Sequence, residues 1–148
     1  MSIVSDLMTG VQTAVLAGNG TYTNPFTSVD AKLVPVTPAP NRPMSMIIGY
    51  DDSTQDRSTR CTWMQTRSIR CIVSDFVGVG DIEAQTLERI ETVQQVIEQI
   101  KTAAQTISTS GGDFTLYTLR VDPEYSYEAL LEESLFLSVI YLEYKGYT

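Results

Sequence analysis

The run Ser134 to Tyr144 sets the hardest condition on how this chain can fold. Read as a β-strand, it puts Leu135, Leu137, Val139 and Tyr141 on one face and Phe136, Ile140, Leu142 and Tyr144 on the other, so both faces are apolar. Something has to cover each of them. The natural cover for one face is the run Asp81 to Ile107, where Leu87, Ile90, Val93, Ile97, Ile100, Ala104 and Ile107 recur at spacings of three and four. That spacing is the apolar stripe of an amphipathic helix, and Glu88, Glu91, Glu98 and Lys101 fall largely off it. About 27 residues rising roughly 1.5 Å each give a helix near 40 Å long, enough to lie across a whole sheet. Asp81 suits the N-cap position, and Ser108 to Gly112 supplies a polar, glycine-containing stop.

Ser2 to Ala17 carries Ile3, Leu7, Val11, Ala14 and Val15 on one face and reads as a first helix, weakened a little by Gly10. Gly18 to Asp30 follows as a loop rich in Gly, Asn and Thr, with Tyr22 and Phe26 as anchors; it is long for a connector and is a candidate arm towards a neighbour. Ala31 to Val36 is a short strand candidate, and the prolines of Thr37 to Pro43 favour an extended path. Strand character resumes at Met44 to Tyr50. Asp51 to Arg60 is entirely polar and reads as a solvated loop or hairpin tip. Cys61 to Phe76 is either one long strand or a hairpin turning at Gln65 to Ser68. Asp113 to Val121 reads as a strand, and Glu124 to Glu133 as a loop or a helical turn around Tyr127, Leu130 and Leu131.

These pieces predict an α+β fold: a mixed or antiparallel β-sheet with an N-terminal helix and one long central helix packed on one face. With 148 residues, 43% apolar and 19% charged, the chain reads as one globular domain over residues 1–148. Two helices cover one sheet face only. The other face calls for a sheet that folds over on itself or for a second subunit.

Chemistry is harder to find than surface. The chain has no histidine, which removes histidine acid–base catalysis, Ser–His and Cys–His nucleophiles and His-ligated zinc. Cys61 and Cys71 read as free thiols. The pairs Asp51-Asp52 and Glu132-Glu133 lack calcium-loop spacing, and Gly78-Val-Gly80 lacks the lysine or third glycine of a phosphate loop. No catalytic, cofactor or metal residues are assigned, and the expectation is a protein that is not an enzyme. The net charge of −8 opposes nonspecific binding to phosphates, although an acidic wall lets DNA slide past without sticking. Met1 to Gly18 has no basic leader, and no apolar run approaches the ~18 residues of a membrane span, so no membrane is expected among the partners.

The order of elements resembles the tail-terminator (tail-completion) proteins of tailed bacteriophages. The resemblance is carried by the N-terminal helix, the Pro-flanked loop, the polar hairpin at Asp51 to Arg60, the long helix after Asp81 and the closing strand Ser134 to Tyr144. It implies a homo-oligomeric ring, expected to be a hexamer, that caps the tail tube and joins it to the head neck while DNA passes through the lumen. The implied partners are the tail tube protein, the head-completion or neck protein, and the sheath protein where the tail contracts. The implied location is the tail or neck of the virion, after assembly in the host cytoplasm. A head-completion, connector or tube-related ring subunit would look the same, and a small ligand-binding α+β domain is the alternative of a different class. For contacts between subunits or with the tube, the residues expected are Tyr22, Phe26, Asp51, Asp52, Asp56, Arg57 and Arg60.

Overall fold

A computed structural model of the chain describes residues 2–33, 43–57, 61–77, 80–122 and 125–147. Val34 to Val36 of the expected early strand, all of the Thr37 to Pro43 segment except Pro43, and Arg60 and Gly78 lie outside them. The elements run α1 (Ile3–Ala17), β1 (Ser28–Ala31), β2 (Ser45–Arg57), β3 (Trp63–Phe76), α2 (Ile82–Ala103), β4 (Thr106–Thr109), β5 (Gly112–Val121), α3 (Tyr127–Glu133) and β6 (Leu135–Tyr147). The fold is α+β: the strands form one curled six-stranded sheet in the order β1-β2-β3-β6-β5-β4. β1 runs parallel to β2 and every other neighbouring pair is antiparallel.

The closing strand lies in the middle of the sheet, between β3 and β5. Its alternate residues Phe136, Ile140, Leu142 and Tyr144 are fully buried and join one core with β3 and both longer helices. Leu7, Val11 and Val15 of α1 and Val93, Val96 and Ile100 of α2 supply the helical side of that core. On the opposite sheet face Ile47 is buried, while Ile72, Leu137, Val139 and Tyr141 are only half-buried. The two-sided apolar pattern therefore becomes one deep face and one shallow face.

The long helix begins where its sequence suggests. The Asp81 carboxylate accepts the Ala84 N–H at 3.1 Å, one of the orphan donors of the first turn. Replacing Asp81 with Ala is expected to cost about 1 kcal/mol, read as a fall of about 3 °C in the thermal midpoint. The helix ends sooner than the stripe predicts, at Ala103, and Ile107 lies in β4. An apolar residue three after Ala104 continues the helical spacing by coincidence. The Ile107 side chain instead packs on Gly10, where a Cβ would come within 2.8 Å of it. The glycine that weakens α1 as an isolated helix is what lets α1 press onto this edge of the sheet.

The Cys61 to Phe76 region is one long strand and not a hairpin: β3 pairs with β2 from Trp63 to Ser74 and with β6 from Met64 to Phe76. β2 likewise continues through Asp51 and Asp52 to Arg57, so the expected polar loop is mostly strand. Polar residues suit a strand there because both of its faces meet solvent, and alternation disappears with no core to face.

Candidate interaction surfaces

The segment expected to reach out as an arm is folded back onto its own helices. Tyr22 and Phe26 are each 5% exposed, their rings edge-to-face with centroids 5.8 Å apart. The Tyr22 hydroxyl donates to the Val15 carbonyl at 2.9 Å, and burial pushes its pKa up to about 12. Asn19 grips Phe26 twice, accepting its N–H at 2.7 Å and donating to its carbonyl at 3.0 Å. From α2, Gln95 accepts the Thr23 N–H at 2.7 Å and Thr92 accepts the Asn24 N–H at 2.9 Å. Tyr22 and Phe26 are thus anchors within the subunit, and as exposed contacts they are corrected. The segment has little regular structure, so its backbone groups need side-chain partners, and α2 supplies them. That is why Thr92, a polar residue outside the predicted stripe, is fully buried.

The β2–β3 ribbon is the first real surface. Asp51, Asp52 and Arg57 are exposed on it, and Asp56 pairs in register with Met64. A register shift between Tyr50 and Asp52 marks where the ribbon leaves the covered sheet. Arg67 ties its base, donating to the Tyr50 hydroxyl at 3.1 Å and the Gln65 side chain at 2.8 Å. At its far end the Arg57 guanidinium lies 5.8 Å from the ring centroid of Trp63, which is 44% exposed, and Cys61 is exposed beside them. Tyr147 is exposed next to Met64, and a second register shift in β5 lifts Tyr117 into solvent, where Lys145 covers its ring at 3.4 Å. Aromatic rings and cations therefore gather at this end of the sheet.

A second surface lies at the other end. Trp63 to Phe76 spans thirteen strand steps, about 43 Å at ~3.3 Å each. Beyond Phe76 the first turns of α2 meet α3 across an apolar groove of about 490 Å³, lined by Ile82, Thr86, Leu87, Ile90, Tyr125, Tyr127 and Leu130, with Glu83 at its rim. α3 starts at a Ser126 N-cap and ends at Ser134, whose φ of 53° turns the chain directly into β6. Leu87 and Tyr127 are 61% and 64% exposed, so Leu87, assigned to the core by its spacing, faces solvent instead. Ile82, Leu87, Tyr127 and Leu131, brought together from two helices, are all exposed at this end of the sheet.

Between these ends the chemistry is sparse. A cleft of about 450 Å³ beside the start of α1 is lined by Ser2, Val4, Met8, Leu33 and Tyr50 among others, with no carboxylate or thiol among the described residues that line it. Among the described residues no three His, Cys, Asp or Glu side chains gather as a metal site. Cys71 is fully buried, and burial raises its thiol to about 12, which keeps it protonated near neutrality. Asp75 and Arg89 form a nearly enclosed ion pair at 2.9 Å that locks the end of β3 to α2. No described helix is long and apolar enough to cross a membrane. No protein-family model and no curated protein matches this sequence.

Proposed function

We propose that this chain is a structural subunit of a tailed-bacteriophage virion, forming a ring, most simply a hexamer, that terminates the tail tube and joins it to the neck. The observation that carries this reading is the pair of exposed aromatic and apolar surfaces at opposite ends of one sheet. A subunit that acts by contact needs at least two such surfaces, one for each neighbour, whereas a ligand-binding domain needs one enclosed pocket with converging polar groups. The half-buried sheet face adds area that a neighbour could cover, and the charge of −8 suits a lumen through which DNA slides. Asp51, Asp52, Asp56 and Arg57 on the ribbon remain contact residues of this reading, and so does Arg60, which lies outside the described residues. The tail tube protein, the neck protein and, in a contractile tail, the sheath protein are its partners.

The test is to add the purified protein to purified tail tubes and image them. The expected result is a cap on one end of each tube and arrested growth. Binding along the tube wall would favour a tube-related subunit, and binding to DNA-filled heads without tubes would favour a head-completion role. Absence of both binding and self-association would move the reading to a ligand-binding domain.

A further inference from the structure

We infer that β4, one edge of the sheet, pairs antiparallel with β4 of a second copy about a two-fold axis at Ile107. The inference goes beyond the tail reading and does not rest on it. In the β4–β5 ladder the Leu116 N–H donates to the Gln105 carbonyl at 2.7 Å, and Thr106 to Thr109 follow in unbroken register with Thr115 to Gly112. Antiparallel bonding alternates along a strand, so Gln105, Ile107 and Thr109 bond inward while the N–H and C=O of Thr106 and Ser108 point away from the sheet. Both residues are exposed, and among the described residues nothing bonds to these outward backbone groups. The opposite edge is partly taken up by the subunit itself: the Val29 carbonyl of β1 accepts from Gln12 Nε2 of α1 at 2.8 Å.

Exposed sheet edges are usually protected by charged side chains, proline or a bulge. β4 has none of these. From Thr102 to Gly112 the chain carries no charged residue and no proline, although 19% of its residues are charged. Its one protection is a length of four residues. The spacing of the outward groups selects the occupant. With Ile107 opposite Ile107 of the second copy, Thr106 faces Ser108 and Ser108 faces Thr106, and each of these pairs exchanges two hydrogen bonds, so the outward groups of both copies are all satisfied. The same patch serves on both sides, which makes the contact isologous. Charge points the same way: two copies that each carry −8 meet with least repulsion where charge is absent. On α1, which packs beside this edge through Gly10 and Ile107, the exposed Ser5, Thr9, Thr13 and Leu16 are uncharged as well.

Paired charges test the register itself. Thr106→Lys with Ser108→Lys sets lysine against lysine across the axis. Thr106→Glu with Ser108→Lys sets glutamate against lysine, and places the new lysine beside Asp113, the cross-strand neighbour of position 108. Ser108→Pro removes an outward N–H and leaves the β4–β5 ladder whole, since proline is tolerated where the strand's N–H faces solvent. Circular dichroism verifies that each variant is folded. In light scattering the wild-type mass is expected to double between about 10 μM and about 1 mM, as suits a small interface. The lysine–lysine variant and Ser108→Pro are expected to double at least about tenfold more weakly, and the glutamate–lysine variant to keep the contact. A ring built through other surfaces would persist in every variant, at half the mass where this contact is lost, so this inference and the tail reading fail separately. The inference is overturned if the wild-type mass never doubles, if the lysine–lysine variant or Ser108→Pro doubles like the wild type, or if the glutamate–lysine variant weakens as much as the lysine–lysine one.

Discussion

Asp75→Ala is expected to lower the stability of the fold by about 3 kcal/mol. Asp75 sits near the end of β3, and its Oδ2 accepts from Arg89 Nε at 2.9 Å, with the two side chains only 10% and 13% exposed. Arg89 also donates to the Gln85 carbonyl at 3.1 Å, which holds the guanidinium in place against α2. Removing the carboxylate strands a positive charge with little water and only a weaker, exposed partner in Glu88 at 3.5 Å. Replacing both residues with apolar ones of similar volume, Asp75→Leu with Arg89→Met, is expected to cost far less than either single loss, because no charge is then left unpaired. Urea unfolding of the singles and the double measures this coupling.

The same pair has a pH signature. Burial raises the Asp75 carboxyl above its ordinary 3.8, and the hydrogen bond and charge of Arg89 oppose that rise without cancelling it. The folded state then binds this proton more tightly than the unfolded chain, so the contribution of Asp75 to stability falls as pH climbs from about 3.8 through the raised value. Asp75→Asn should remove that part of the slope. An unchanged slope in Asp75→Asn would mean that other carboxylates set it.

Which features were legible in the sequence follows from the range of the interactions that create them. α1 and the start of α2 depend on caps and on one buried stripe, all within a few residues, and Ser2 and Asp81 do cap them. The two-sided apolar run became a central strand for an equally local reason. What stayed hidden was set at long range. Thr92 is buried because a backbone N–H 68 positions away needs an acceptor, and no spacing within α2 encodes that. Leu87 keeps the helical period yet is exposed, because the sheet beneath it has ended. Tyr22 and Phe26 look like an arm in a loop of glycine and asparagine until Asn19 and α2 are seen to hold them. Of the expected contact residues, Asp51, Asp52 and Arg57 are exposed because a polar strand beyond the core has nothing to bury it, and the α2–α3 groove could not be anticipated without knowing where the sheet stops.

Tyr144→Ala should be the most damaging single change among the described residues, about 4 kcal/mol, with Tyr144→Phe costing about 1 kcal/mol. The ring is fully buried in the central strand, and its hydroxyl donates at 2.7 Å to the carbonyl of Ala104, the residue that caps the C-terminus of α2. The alanine variant loses the ring's packing and opens a cavity between sheet and helix. The phenylalanine variant keeps the packing and leaves one carbonyl without its donor. Burial raises the phenol's pKa well above 10.0, so its contribution is complete below pH 10.0 and drains away as pH rises above it. Tyr144→Phe should therefore flatten the alkaline limb of the stability curve, leaving the part that Tyr22 contributes in the same way, its own pKa standing at about 12. Because this bond pins one end of α2 and the Asp75–Arg89 pair pins the other, the helix is held at both ends. If Tyr144→Phe and Tyr144→Ala proved equally destabilising in urea, the hydrogen bond to Ala104 and not the ring would be what fixes the helix.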